Sequence, residues 1–138
     1  MARRKHTLAI HRPYSTTNAG KPLSIAHHDL LGDIEMNFTD TVNPNVEVVF
    51  LCLGHGKSIS FLENNQFSNE TKIIDLGNDF RLIKDKDFNG KSFVYGLPEL
   101  NKTDIKNAQF IANPGCFATA IQLALLPLAE AKKLIKDG

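Results

Sequence analysis

Tryptophan is absent, cysteine and methionine occur only twice each, and neither sign of charge is in excess. Sixteen basic residues against fifteen acidic ones leave a formal charge of +1. That balance gives no electrostatic footprint for nucleic acid or for an anionic membrane. Cys52 and Cys116 are too few for a disulfide framework, and no CxxC or Cys/His spacing points to zinc, so no metal is expected. No stretch approaches the roughly 18 to 20 apolar residues of a membrane span. Acidic residues are missing from positions 1–28, which carry Arg3, Arg4, Lys5, Arg12 and Lys21. Such a leader is compatible with an organelle transit peptide, whereas the apolar run at 8–10 is too short for a secretory signal. The expected setting is the cytoplasm.

What is present is enough for one folded domain: 138 residues, 42% of them hydrophobic. The first third is irregular, punctuated by Pro13, Gly20, Pro22 and Gly32, and residues 15–20 (STTNAG) form a loop by composition. Residues 46–53 (VEVVFLCL) are almost wholly apolar and β-branched, as in a parallel strand covered on both faces. Cys52 inside this run is expected to be a small buried hydrophobe. Gly54-His55-Gly56 ends the strand, and Ser58 is expected to cap a short helix reaching about Asn65. Residues 72–76 (KIIDL) read as a second buried strand, making 46–76 one βαβ unit.

Residues 77–100 read as loop, with one helical turn at 103–107 and a third strand at 109–112 (QFIA). After Asn113-Pro114-Gly115, apolar residues recur at helical spacing: Phe117, Ala120, Ile121, Ala124, Leu125 and Leu128. This helix is expected to be mostly buried, and Pro127 to kink or divide it. Strands alternating with helices predict an α/β fold with a parallel sheet.

Cys116 stands where a strand ends, a Pro-Gly turn intervenes and a helix begins. A helix start offers unpaired backbone N–H groups and a partial positive charge, both of which favour a thiolate. The same groups can receive an oxyanion when sulfur attacks a carbonyl. Gly115, without a Cβ, lets a substrate approach the backbone. The plainer reading is that Cys116 merely opens a core helix, with Asn113 or the cysteine as a modest cap. Asp79 and Arg81 suit either an internal ion pair or a substrate anchor, and the Arg81 fork fits a phosphate or carboxylate. Gly54, His55 and Gly56 lie at the carboxyl end of a strand, where open α/β sheets bind ligands. A phosphate-loop reading of Gly56-Lys57-Ser58 fails, because that motif needs glycine where Leu51 stands.

Four words in fixed order, VFLCLGHGKS (49–58), IIDLGNDFRL (73–82), FVYGLPELN (93–101) and IANPGCFAT (111–119), resemble N-acetyl-γ-glutamyl-phosphate reductases of the semialdehyde dehydrogenase superfamily. The resemblance runs from about Ser15 to the C-terminus. It implies an NADP(H)-binding Rossmann-like domain at 1–115 and the start of a catalytic and dimerisation domain at 116–138. The implied reaction is the reductive dephosphorylation of N-acetyl-γ-glutamyl phosphate to N-acetylglutamate 5-semialdehyde, in arginine biosynthesis. Cys116 matches the nucleophile that forms a thioester, which hydride from NADPH then reduces. Arg81, Asn113 and Gly115 are the residues expected to meet the substrate. Ser15, Thr17 and Asn18, with Gly54, His55 and Gly56, fall at cofactor-binding positions. Tyr95, Glu99 and Asn101 are expected to shape the segment leading to the cysteine strand. The family is homo-oligomeric.

The chain also departs from that family. Residues 1–14 lack its opening strand and glycine turn, and all five histidines (His6, His11, His27, His28 and His55) precede Cys116, where the family's catalytic histidine follows it. The expectation is a partial Rossmann-like sheet with the first helix of a truncated catalytic domain. Alone, such a chain should bind NADPH weakly and show no turnover. Two alternatives are an inert or partner-binding half-domain and a related aspartate-semialdehyde-type dehydrogenase, whose cysteine word differs from NPGC.

Overall fold

The computed structural model describes residues 12–131. The expectations for positions 1–11 therefore lie outside the described residues. The chain divides into two compact units, residues 1–43 and 44–138.

Among the described residues the first unit has no long regular element. Two 3₁₀ turns, Leu23–Ile25 and His28–Leu30, are held by bridges between Tyr14 and Thr39 and between Pro22 and Asn37, and Leu23 is its buried apolar residue. Proline and glycine dictate this irregularity, as expected. The Pro13 carbonyl accepts from the Thr39 N–H at 2.9 Å, a role that needs no donor from the proline itself.

The second unit is an α/β layer. Its sheet comprises β1 (Val48–Leu51), β2 (Lys72–Asp75), β5 (Val94–Tyr95) and β6 (Phe110–Ala112), in the order β1-β2-β6-β5. Every pairing in it is parallel, with Val49 opposite Ile73 and Asp75 opposite Ala112. α1 (Ser58–Asn64) crosses from β1 to β2 and α2 (Pro98–Asn107) from β5 to β6, while α3 (Cys116–Glu130) follows β6. The βαβ unit expected over 46–76 is present, with slightly shorter strands. Its core gathers Leu51, Leu62, Ile73, Phe80, Phe93, Phe110 and Ala112. Phe80 and Phe93 stack at 3.9 Å, and Phe110 meets Phe93 edge-on at 5.2 Å.

Residues 77–100 carry more structure than a loop. β3 (Asp87–Phe88) and β4 (Lys91–Ser92) form a hairpin around Asn89 and Gly90, with φ of 48° and 76°. Two positive φ values define the tight turn for which Asn-Gly is the preferred pair. The single turn expected at 103–107 is the end of a longer α2, which Pro98 opens in its first turn. Asn101 breaks the helical dihedrals there, and its Nδ2 donates to the Tyr95 carbonyl at 2.8 Å. β5 lies close against β6 because residue 96 is glycine: a Cβ there would stand 2.8 Å from Ile111 Cγ2.

α3 corrects one expectation and narrows another. It has no buried residue; Phe117, Ile121, Leu123, Leu125 and Leu128 are all exposed. Pro127 does not divide it, and the helix continues to Glu130. Proline so near the end deletes one hydrogen bond, to the Leu123 carbonyl, and leaves the preceding turns intact. Among the described residues no helix is long and apolar enough to cross a membrane.

Candidate active site at the carboxyl ends of the strands

Parallel strands deliver their following loops to one edge of a sheet. Here β1 leads to Gly54-His55-Gly56, β2 to Gly77-Asn78-Asp79-Phe80-Arg81, and β6 to Asn113-Pro114-Gly115-Cys116. Cys116 is the first residue of α3 and is exposed. Gly115 precedes the helix with extended dihedrals, and no side chain caps the helix start. The first-turn N–H groups therefore have no side-chain acceptor. The Gly115 carbonyl is fully used, accepting from the Thr119 N–H and the Thr119 hydroxyl, each at 2.9 Å.

Arg81 holds this turn in place. Its Nε donates to the Asn113 carbonyl at 2.8 Å and its Nη2 to the Leu76 carbonyl at 2.9 Å. Its Nη1 lies under Gly115, where a Cβ would approach it to 3.0 Å. One guanidinium thus ties the end of β2 to the turn bearing Cys116 and keeps Nη1 uncommitted beside that turn. Asn113 extends the sheet by donating its N–H to the Asp75 carbonyl at 2.8 Å, and its side chain folds back on Pro114.

Asp79 and Arg81 do not pair with each other. Asp79 Oδ1 accepts from the Gly56 N–H at 2.6 Å and Oδ2 from the Ser58 N–H at 2.8 Å. Ser58 is therefore not the cap expected from its position. It is the first residue of α1, fully buried, and its hydroxyl donates to Asp75 Oδ1 at 2.6 Å. Asp75 is a buried carboxylate that reading along the sequence did not single out. Oδ1 also accepts from the Gly77 N–H at 3.0 Å, while Oδ2 has no hydrogen-bond partner.

Gly54 and Gly56 have φ of 84° and 74°, a region that side-chain-bearing residues rarely enter, and a Cβ on either would point into open space. With the exposed His55 between them, they present bare backbone at the strand ends. The same loop does not fit a pyrophosphate at the Gly56 and Ser58 N–H groups, because Asp79 already fills them.

Cys52 is exposed, contrary to the expectation of burial. It follows the last residue of β1, a strand paired on one side by β2. Although the residue is exposed, its thiol is still partly desolvated, and this effect first, with the Asp75 carboxylate second, pushes its pKa up. Both causes disfavour a thiolate at Cys52.

Ser15, Thr17 and Asn18 form a self-closed turn in the first unit. The Ser15 hydroxyl accepts from the Asn18 N–H at 3.2 Å and the Ser15 N–H donates to the Thr39 carbonyl at 2.8 Å, leaving Thr17 exposed at the tip. In the second unit the Tyr95 hydroxyl and Gln122 Oε1 are 3.1 Å apart, linking β5 to α3. Tyr95 is thus bonded to α3 through its hydroxyl and to Asn101 through its carbonyl.

Three curated relatives named N-acetyl-gamma-glutamyl-phosphate reductase are similar to this chain. That of Flavobacterium johnsoniae is 77% identical over 124 residues, which is 90% of this chain and 38% of the relative. That of Christiangramia forsetii is 59% identical over 124 residues, covering 90% and 37% respectively. That of Karelsulcia muelleri is 48% identical over 122 residues, covering 87% and 37%. The chain spans less than two-fifths of the length of these relatives. Residues 1–108 match the family described as "Semialdehyde dehydrogenase, NAD binding domain", which makes a nicotinamide dinucleotide the cofactor class. The chain belongs to this semialdehyde dehydrogenase NAD-binding-domain family.

Proposed function

We propose that this chain is the cofactor-binding, nucleophile-bearing part of a cytoplasmic N-acetyl-γ-glutamyl-phosphate reductase of arginine biosynthesis, using NADP(H). The observation that carries the reading is Cys116 at the open start of α3, on a turn clamped by Arg81. The names of the relatives supply the substrate. In this reading residues 1–115 handle the cofactor, and the substrate-handling part opens at Cys116.

The chemistry assigned to the chain's own residues is acyl transfer. The Cys116 sulfur attacks the γ-carbonyl carbon, a C–S bond forms, and charge moves onto the carbonyl oxygen. The first-turn N–H groups of α3 are the donors available to that oxygen. Collapse breaks the bond from carbon to the phosphate oxygen, and phosphate departs with the electron pair. Arg81, through Nη1, lies beside Gly115 and is the cation available to that phosphate. A thioester on Cys116 remains. NADPH, when bound, supplies the hydride that takes the acyl group to the aldehyde level. Gly54, His55 and Gly56 would hold an uncharged part of that cofactor.

The test is phosphate release from N-acetyl-γ-glutamyl phosphate without cofactor. Release of one equivalent per chain, lost in Cys116→Ser, is the expected result. Release indifferent to that substitution would overturn the assignment.

A further inference from the structure

Asp79 belongs to the loop after β2, yet both of its carboxylate oxygens are spent on the loop after β1. The N–H groups of Gly56 and Ser58 converge on it at 2.6 and 2.8 Å. The same corner is gripped from inside, where the Ser58 hydroxyl donates to the buried Asp75. Two carboxylates from the β2 end therefore fix three polar hydrogens of one short loop. The loop needs such fixing. Two of its three residues hold left-handed backbone, and α1 beyond it is a seven-residue helix, too short to nucleate alone. Phe80, between Asp79 and Arg81, is buried against Phe93 and anchors the carboxylate to the core. Asp79 is thus a carboxylate of the protein itself that fills both of these N–H groups.

We propose that Asp79 is a positioning residue for the cofactor: it sets the shape of Gly54-His55-Gly56 against which the nicotinamide dinucleotide docks. The assignment rests on the cofactor reading above and adds a residue to it. Arg81 serves the cysteine turn from the same segment, so the two loops are held by neighbouring but separate contacts. Loss of Asp79 should disturb the cofactor loop and spare the cysteine.

The experiment compares wild type with Asp79→Ala and Asp79→Asn. NADPH is titrated into the millimolar range and followed by ligand-observed NMR. Amide exchange at Gly56 and Ser58 is read alongside the rate of Cys116 alkylation. In Asp79→Ala the dissociation constant should rise about tenfold or more, since two charge-assisted hydrogen bonds are lost. Exchange at Gly56 and Ser58 should accelerate by a similar factor, while Ile73 and Phe110 amides and the Cys116 rate stay within about twofold. Added formate, a small carboxylate, should refill the gap and restore both readouts. Asp79→Asn keeps one acceptor and turns an NH₂ toward the second N–H, so it should fall between. Faster exchange with unchanged NADPH affinity would reduce Asp79 to a helix cap and overturn the assignment. So would a parallel loss of Cys116 reactivity. Wild-type protein that fails to bind NADPH contradicts the cofactor reading and this assignment together, whereas phosphate release at Cys116 is tested independently.

Discussion

Arg81 Nε and the Asn113 carbonyl oxygen are 2.8 Å apart, although 32 residues separate them in the chain. This bond fastens the turn carrying Cys116 to the end of the neighbouring strand β2. Removing it should therefore be felt at the cysteine.

Arg81→Ala should cost about 1 to 2 kcal/mol in urea denaturation, as two charge-assisted hydrogen bonds to carbonyls are lost at a partly exposed site. Acyl transfer to Cys116 should fall by about tenfold or more, because a loosened turn misplaces the nucleophile. Arg81→Lys keeps the charge but not the planar fork that spans two carbonyls, so it should recover part of the stability and little of the acylation. Full acylation in Arg81→Ala would separate this residue from the site.

Gly77 and Gly54 should tolerate alanine poorly for different reasons. A Cβ on Gly77 would stand 3.1 and 3.3 Å from the Asp75 oxygens and 3.2 Å from the Gly54 carbonyl. Those atoms are fixed, so Gly77→Ala should cost about 1 to 3 kcal/mol as overpacking. Gly54→Ala meets open space, but at φ 84° it should cost about 1 to 2 kcal/mol in backbone strain. The added Cβ at position 77 would meet the Gly54 carbonyl, so the double variant should deviate from additivity when melts are compared.

Cys52 should make stability fall in alkaline solution. Its folded-state pKa is raised by desolvation and by Asp75, above the ordinary thiol value of 9.0. The folded chain then holds its proton while the unfolded chain releases it. The resulting stabilisation is complete below 9.0 and is lost as pH rises through the folded-state value. Cys52→Ala should flatten this decline. Asp75→Asn should remove only the smaller share, since desolvation is the larger cause. Denaturation curves of the three proteins across that range decide the point.

The parts of this structure legible in the sequence are those encoded locally. The βαβ unit over 46–76 follows from two apolar, β-branched runs of strand length around a glycine break. Cys116 at a helix start follows from Asn-Pro-Gly ahead of a helical apolar period. The hairpin at Asn89-Gly90 and the start of α2 at Pro98 carry local signals too, but composition alone reads 77–100 as loop. The partners of Asp79 and Arg81 are not local: they depend on the strand order β1-β2-β6, which brings positions 56, 79 and 113 to one edge. Periodicity likewise identifies the apolar residues of α3 without saying what covers them. Cys52 sits in an apolar run and is still exposed, just past the end of β1, which among the described residues pairs with β2 alone.

The central claim, that Cys116 is the nucleophile and Cys52 a bystander, is tested most directly by competitive alkylation. Iodoacetamide is added at neutral pH to protein shown to melt cooperatively, and each cysteine is followed by peptide mass spectrometry. Both cysteines are exposed residues, so neither is sealed from the reagent, and the Cys52 thiol is the more desolvated of the two. Modification of Cys116 should run at least about tenfold faster than that of Cys52, whose surroundings disfavour the thiolate. Prior incubation with N-acetyl-γ-glutamyl phosphate should block Cys116 alone. Equal rates, a faster Cys52, or protection of Cys52 by the acyl phosphate would contradict the claim.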